Sequence, residues 1–403
     1  MKRNFGNVMV VMGLMAASFG IGMGVHPLKV AAETHSFSTF RQVYDLVKSE
    51  FIDGKVQENK LEYGAIRGLL ESLDDPYTRF MEPKVFKSMQ DERHGSFFGI
   101  GIQIGMNKDK HLSVIAPIED TPAAKAGLKS GDHIVEIDGK TTKSMAIEEA
   151  VSHIRGNKGT KVTLKIQRGA QKPFDVAIIR DSIATKAVKT RDLESNIGYI
   201  RLSTFMNENA DQDMRLALDK FKNKSALVLD LRGNPGGLLP NAVSIGSMFI
   251  DKGVPVVQIV DREGNRETLD STGRLAIPKN KPVVVLVDGG SASASEILSG
   301  ALQDTHRATL VGTKTFGKGL VQTVHALDGG SGVAITTNKY LTSGGNDINK
   351  KGITPDVVVE FPQLATASAE LEEMPTLDDL IKDGKDVQLN KGIAILKEKL
   401  AKK

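Results

Sequence analysis

The sequence predicts an α/β protein led by a small helical unit, and three observations carry that reading. From Ile197 onward, short apolar runs of strand type alternate with stretches of helical period. Between Ser96 and Ser182 the texture is different, with short strands punctuated by glycine. Ahead of both, Phe40–Leu73 places apolar residues mostly three or four apart.

The helical unit is read from Val43, Leu46, Val47 and Phe51, then Leu61, Ile66, Leu69 and Leu70. Asp74-Asp75-Pro76 ends the pattern, because proline cannot continue a helix. A packing or dimerising arm is the simplest role for such a unit, so a homodimer is an expectation. In the middle region, Phe98-Gly99-Ile100-Gly101-Ile102-Gln103-Ile104 reads as a glycine turn feeding a strand. Pro122–Gly127 reads as a short helix with proline at its start and glycine at its end. Gly131–Gly139 is a strand closed by an Asp-Gly turn, Ile147–Ile154 a helix, and Lys161–Gln167 an alternating strand. Beyond Ile197, strands are expected at Ile197–Leu202, Ala226–Leu231, Val256–Val260, Pro282–Val287 and Ala308–Val311. Helices are expected at Ala210–Phe221, Leu239–Phe249 and Ser293–Leu302. Asp386–Leu400 is an amphipathic helix whose partner the sequence does not name. The resulting divisions are 1–32, 33–95, 96–182, 183–361 and 362–403.

Lys2 and Arg3 precede 21 residues without a charge, Phe5–Val25, and Val30-Ala31-Ala32 offers the small residues of a signal-peptidase site. Residues 1–32 are therefore read as an export signal cleaved after Ala32. The uncharged run is nearly long enough to span a bilayer, so a retained membrane anchor is the alternative. Either way the expected location is the periplasm or cell envelope.

The 403 residues leave room for two or three domains, and 40% apolar with 25% charged residues is ordinary for a folded globular chain. With no cysteine there is no disulfide, thiolate metal site or cysteine nucleophile. Three of the four net positive charges come from Lys2, Arg3 and Lys29 in the signal region, which leaves no basic excess for nucleic acid. The eight histidines form no HExxH pair, and neither a metal nor a cofactor is expected.

Three segments carry the chemistry. In Val283–Leu298 an apolar strand runs into Asp288-Gly289-Gly290-Ser291-Ala292-Ser293-Ala294-Ser295-Glu296 and a helix start. A hydroxyl there sits at the positive end of a helix dipole, beside N–H groups that have no partner within the helix. Ser293-x-x-Glu296 equally fits a capping box, and Ser291 and Ser295 are hydroxyls of the same run, so the local sequence does not choose a nucleophile. In Thr315–Gln322, Lys318 lies between two glycines with no acidic neighbour in the run. Such an amine, if desolvated, loses its proton more readily and can act as a base toward serine. Gln322 lies four residues on, where its amide could orient that amine. Gly312–Lys318 also matches GxxxxGK, but Gly319 stands where a phosphate loop needs Ser or Thr, and a strand follows where it needs a helix. In Leu229–Gly237 a strand end leads into a glycine turn whose amides could bind an anion.

The region 96–182 resembles a PDZ domain through Phe98–Ile104, Pro122–Leu128 and Gly131–Gly139. A groove involving Phe98, Gly99, Ile100 and Gly101 is then expected to take a peptide's terminal carboxylate and to accept it as an added strand. Leu229–Gly237 (LDLRGNPGG), Gly290–Glu296 (GSASASE), Phe316–Gln322 (FGKGLVQ), Gly352–Asp356 (GITPD) and Asp74–Thr78 (DDPYT), in that set, resemble the carboxyl-terminal processing proteases. The resemblance covers about residues 40–360. It implies a crotonase-like core of strand-strand-helix units with an inserted PDZ domain. Ser293 would be the nucleophile, Lys318 the general base and Gln322 its orienting amide. The oxyanion donors would be Ala294 and one of Gly236 and Gly237. The implied activity is an exported serine endopeptidase that works through an acyl-enzyme and cleaves proteins near exposed apolar C-termini, with the tail held by the PDZ domain.

Two other readings compete. A Ser-His-Asp hydrolase would draw on His306, His325, Asp288 and Asp304, but no GxSxG elbow accompanies them. An exported PDZ adaptor with an inactive hydrolase core is the non-enzymatic alternative.

Overall fold

The computed structural model describes residues 37–402 apart from 54, 94–95, 107–110, 118–120, 130, 144, 146, 170, 185–186 and 361–376. The expected export signal lies outside the described residues, as does much of the segment before the tail helix. The chain divides into two compact units, residues 1–86 with 321–337, and residues 87–320 with 338–403.

In the first unit the expected helical stretch is two helices, α1 (Ser38–Glu50) and α2 (Glu58–Glu71). Phe51 ends α1 in extended backbone. Neither helix buries a residue, and Phe40, Val43 and Leu46 along α1 are each about half exposed. Strand β1 (Arg79–Met81) pairs antiparallel with residues 332–334. The Asp-Pro-Tyr-Thr turn before it is closed by Asp75, whose carboxylate accepts from Tyr77 N at 3.1 Å and Thr78 Oγ1 at 2.6 Å. Thr78 Oγ1 in turn accepts Thr336 N at 3.0 Å. Partial burial works against ionisation of Asp75, but the donors from Thr336, Thr78 and Tyr77 outweigh it and hold the carboxyl below its ordinary range.

Helix α3 (Pro83–Arg93) leads into the second unit. Strand β2 (Ser96–Gly99) pairs with β9 (Asp181–Ala184). Between them lie β3 (Ile102–Met106), β4 (Leu112–Pro117), the short helix α4 (Pro122–Lys125), β5 (His133–Ile137), β6 (Lys140–Thr141), α5 (Ile147–Ile154), β7 (Lys161–Gln167) and β8 (Phe174–Ile179). The sheet order is β3-β4-β5-β7-β8 with β6 beside β5, which leaves β3 at an edge. Ile100, Leu112, Ile134, Leu164 and Ile166 fill its core. Phe98-Gly99, expected in a turn, ends strand β2 instead. The turn falls at Ile100-Gly101, since Ile100 O is held by Ala123 N at 2.8 Å.

The remainder is built on a sheet ordered β10-β11-β12-β15-β16-β19. Its strands are β10 (Val188–Leu193), β11 (Ile197–Leu202), β12 (Ala226–Asp230), β15 (Val283–Val287), β16 (Thr309–Gly312) and β19 (Val357–Val358). From β11 to β19 all neighbours run parallel, and only β10 is antiparallel. Every residue of β12 and β15 is buried, the pattern of parallel strands covered on both faces. Helices α6 (Ala210–Lys220), α7 (Leu239–Gly246) and α8 (Ala294–Asp304) connect the strands. Strands β13 (Pro255–Val260) and β14 (Arg266–Asp270) form a hairpin, and β13 also pairs with residues 339–341. Those residues end β18 (Gly332–Leu341), which follows β17 (Leu320–Ala326); both strands begin in one unit and end in the other. Helices α9 (Leu377–Lys382) and α10 (Val387–Ala401) find in the central sheet the partner missing from the sequence reading. Ile381, Leu389 and Leu396 pack on Tyr199, Val228, Val284 and Leu286. The tail helix thus covers one face of the central sheet.

Two outcomes follow. Leu396→Ala, at a fully buried site, is expected to cost about 2–5 kcal/mol in denaturant unfolding. Asp75→Asn is expected to lower the thermal midpoint at neutral pH. Because the folded carboxyl titrates below the unfolded value of about 3.9, its contribution is present above that value and is lost as the pH falls through the depressed one. The gap between wild type and variant should therefore narrow as the pH is lowered past about 4, read by calorimetry across a pH series.

Candidate active site

The site forms where the parallel strands end at their carboxyl edge, as is usual for open α/β sheets. Strand β12 ends at Asp230, and the turn that follows is tied in from several sides. Leu231 N donates to Leu286 O at 2.9 Å on the neighbouring strand β15. The buried Asn234 side chain donates to Leu202 O at 2.8 Å and accepts Gly236 N at 2.9 Å. Asn234 O accepts Ala292 N at 3.0 Å and Ser295 Oγ at 2.9 Å, which joins this turn to the serine run after β15. Glycine is required at Gly236, where φ is +98°. A Cβ there would lie 2.8 Å from Ala294 N and 2.9 Å from Ser293 Cβ. The turn therefore lies directly against the helix mouth.

Burial and bonding separate the three serines that the sequence left equal. Ser291 is fully buried and donates to Leu231 O at 2.9 Å. Ser295 is fully buried and donates to Asn234 O. Ser293 alone of the three is half-buried, at the N-cap of α8. Its backbone has φ +57° and ψ −114°, a conformation that costs a non-glycine residue about 1–3 kcal/mol. Strain of that size persists only where the surroundings impose it.

The buried carboxylate of Glu296 is what imposes it. Oε2 accepts Ser293 N at 2.9 Å, the Glu limb of the expected capping box, and also Lys318 N at 2.9 Å. Oε1 accepts Gly317 N at 2.7 Å and Thr315 Oγ1 at 2.6 Å. The Tyr340 hydroxyl bridges the same two residues from their other side, reaching Ser293 O at 3.1 Å and Lys318 O. Ser293 and Lys318 thus share one acceptor for their N–H groups and one donor for their carbonyls. The Gly352–Asp356 segment backs this arrangement. Ile353 N donates to Thr315 Oγ1 at 2.7 Å, and the Asp356 carboxylate accepts Leu310 N at 2.7 Å.

Among the described residues no acceptor takes the N–H of Ala294, the first residue of α8, or that of Gly237. Gly236 N–H is already spent on Asn234. Gly237 is held at φ +146° against Phe205 and Met206, with Leu238 N donating to Phe205 O at 3.0 Å. Among the described residues neither Asp288 nor Asp304 bonds a histidine. Asp288 Oδ1 accepts Gly233 N at 2.8 Å and Gly290 N at 2.9 Å, and Asp304 accepts Gly344 N at 2.7 Å. Gln322, in the other unit, donates to Thr336 Oγ1 at 3.1 Å.

A groove of about 80 Å³ lies between the β3 edge and α5. Gly99, Ile100 and Gly101 line it as expected, together with Ile102, Ile104, Val151, Ile154 and Arg155. Phe98 is not among the lining residues. It sits in β2 opposite Ser182. An open strand edge above an apolar floor suits addition of an extended peptide.

Sequence reasoning missed Tyr340 and took Glu296 only for a helix cap. The capping spacing is local, while the use of the second carboxylate oxygen on Gly317 and Thr315 is visible only in three dimensions.

A half-buried serine at a strained helix mouth and an open strand edge over an apolar groove are features suited to a hydrolase that acts on polypeptides, and comparison with known proteins agrees. Residues 196–359 match the family model for peptidase family S41, residues 88–167 that for the PDZ domain, and residues 25–85 that for the activating protease CtpB N-terminal domain. The chain is 40% identical over 331 residues to the carboxy-terminal processing protease CtpA of Bacillus subtilis, covering 82% of this chain and 70% of that protein. It is 42% identical over 333 residues to a carboxy-terminal-processing protease of Bartonella bacilliformis, covering 80% and 75%. Among solved structures, the photosystem II D1 C-terminal processing protease matches with TM-score 0.53 and 34% identity over 80% of this chain and 86% of that one. The chain belongs to the carboxy-terminal processing proteases of peptidase family S41, and it is a serine-type protease with a PDZ domain. The adaptor reading is not favoured.

Glu296→Ala would leave the N–H groups of Ser293, Gly317 and Lys318 without their acceptor inside the fold. It is expected to cut kcat by about 100-fold or more, by releasing the mouth of α8 and the stretch before β17 from one geometry, and to lower the thermal midpoint. Steady-state kinetics and calorimetry on the purified variant check both.

Proposed function

We propose that Ser293 is the nucleophile, Lys318 the general base and the N–H groups of Ala294 and Gly237 the oxyanion donors of an exported endopeptidase that cleaves proteins near exposed apolar C-termini. The observation that carries this reading is the double tether of Ser293 and Lys318 to Glu296 and Tyr340. The neutral amine of Lys318 accepts the Ser293 Oγ proton as Oγ attacks the substrate carbonyl carbon. Two engaged N–H donors stabilise the oxyanion, a contribution whose loss costs about 100–1000-fold per donor. The tetrahedral intermediate collapses to an acyl-enzyme, and the Lys318 ammonium returns the proton to the leaving amine. Water, deprotonated by Lys318, then releases the acid and restores the serine. Gln322, four residues along the chain, is assigned to orient the lysine amine.

The groove at β3 and α5 holds the substrate tail, with an apolar side chain on Ile102, Ile104, Val151 and Ile154. The passages β10-β11-α6 and β14-β15-α8 support a crotonase-like description of the core. The uncharged run Phe5–Val25 supports export to the periplasm or envelope, by a cleaved signal or a retained anchor. The half-exposed apolar residues of α1 support a homodimer through that helix.

The test is cleavage of an unstructured substrate with an apolar C-terminus, with products mapped by mass. Ser293→Ala and Lys318→Ala are expected to abolish turnover, whereas Ser291→Ala and Ser295→Ala retain it while losing about 0.5–1.5 kcal/mol of stability for the hydrogen bond each deletes. An active Lys318→Ala enzyme combined with an inactive His325→Ala one would overturn the assignment of the base.

A further inference from the structure

The tail helix α10 does more than cover the sheet. Its N-cap, Asp386, reaches the strand that carries the oxyanion turn. Arg232, the second residue after β12, has a guanidinium only 1% exposed and gripped from two sides. Asp230 Oδ2 accepts its Nη2 at 2.6 Å and Asp230 Oδ1 its Nε at 3.0 Å. From the far end of the sequence, Asp386 Oδ2 accepts Nη2 at 2.7 Å, Asp386 Oδ1 accepts Nη1 at 2.9 Å, and Gln388 Oε1 accepts Nη1 at 3.1 Å. Asp386 Oδ1 also accepts Leu389 N at 2.9 Å, so one carboxylate caps α10 and holds Arg232 together. The Tyr199 hydroxyl donates to Asp230 Oδ2 at 2.7 Å and completes the cluster.

A buried ionic cluster of this kind is a poor way to gain stability, since apolar residues of similar volume often do as well or better. It is a good way to hold one geometry, because a planar guanidinium bound at both forks has little freedom. The backbone it holds is the root of the turn that ends in Gly236 and Gly237. Arg232 N donates to Asp230 Oδ1 at 2.9 Å, and the next residue, Gly233, donates to Asp288 Oδ1 at 2.8 Å. We propose that Asp386 is a positioning residue for the protease reaction: through Arg232 it sets the oxyanion turn, so that the C-terminal helix completes the active site. The proposal rests on the assignment of Gly237 as an oxyanion donor.

The experiment is steady-state kinetics on the full chain carrying Asp386→Asn, which retains a good helix cap and loses the charge. The expected result is a fall in kcat of about 10-fold with KM within about 2-fold, a fraction of what loss of a whole oxyanion donor costs. The rate of inactivation by a serine-directed peptidyl phosphonate should fall in parallel, because its phosphoryl oxygen occupies the oxyanion site. Asp386→Glu should restore part of both. Leu396→Ala loosens the same helix with Asp386 intact, and at a temperature well below its transition it should keep wild-type kcat. Wild-type kcat in folded Asp386→Asn, or kcat losses in both variants that simply track their thermal midpoints, would overturn the proposal. If Ser293→Ala is inactive while Asp386→Asn is unimpaired, only the positioning role fails. An active Ser293→Ala enzyme would instead sink the site assignment on which it rests.

Discussion

One buried carboxylate organises this candidate active site. Glu296 accepts hydrogen bonds from the backbone of Ser293, Gly317 and Lys318 and from the hydroxyl of Thr315. A carboxylate taken out of water is costly unless its lone pairs are used, and here four donors use them. The same four bonds oblige two distant segments, the mouth of α8 and the stretch before β17, to meet in one geometry. The left-handed backbone at Ser293 is sustained by that meeting, and the Tyr340 hydroxyl closes it from the opposite side.

The sheet makes the meeting possible. Strands β12 and β15 are parallel neighbours, so their carboxyl ends deliver the LRGNPGG turn and the SASAS run to the same edge. Asn234 shapes the first loop with its side chain and ties it to the second through its carbonyl. Rigidity is built in layers behind the proposed reacting groups: first the turn amides, then Asn234 and Glu296, then the Asp230–Arg232–Asp386 cluster that brings in the tail. Groups preorganised in this way need no rearrangement when charge develops on a substrate oxygen. The peptide groove follows a different logic. There the useful feature is an edge left open at β3, with apolar side chains from α5 beside it.

Much of this was legible along the chain, for identifiable reasons. Ile147–Ile154, Lys161–Gln167 and Ile197–Leu202 were expected at the bounds they have, because turn-forming residues such as Gly156, Gly159, Gly169 and Asn196 lie next to their ends. The helical reading of Phe40–Leu73 resolves into two helices, because Phe51 leaves α1 in extended backbone although the apolar spacing continues past it. Phe98 was assigned to the carboxylate turn and lies in a strand, because the pairing of β2 with β9 joins residues some eighty positions apart. The choice between Gly236 and Gly237 was not available locally, since it turns on Asn234 reaching back to Gly236 N.

What the sequence by itself determined is the inventory: the α/β order, the serine at a helix start, the lysine between glycines, the glycine turn and the amphipathic tail. These are local properties, set by residue type and spacing. Tertiary structure alone decided which serine is presented, what Glu296 binds, which glycine amide stays unengaged and where α10 docks. Each depends on a hydrogen bond or a packed face between residues far apart in sequence, and burial makes such contacts strong while leaving no mark in the local pattern.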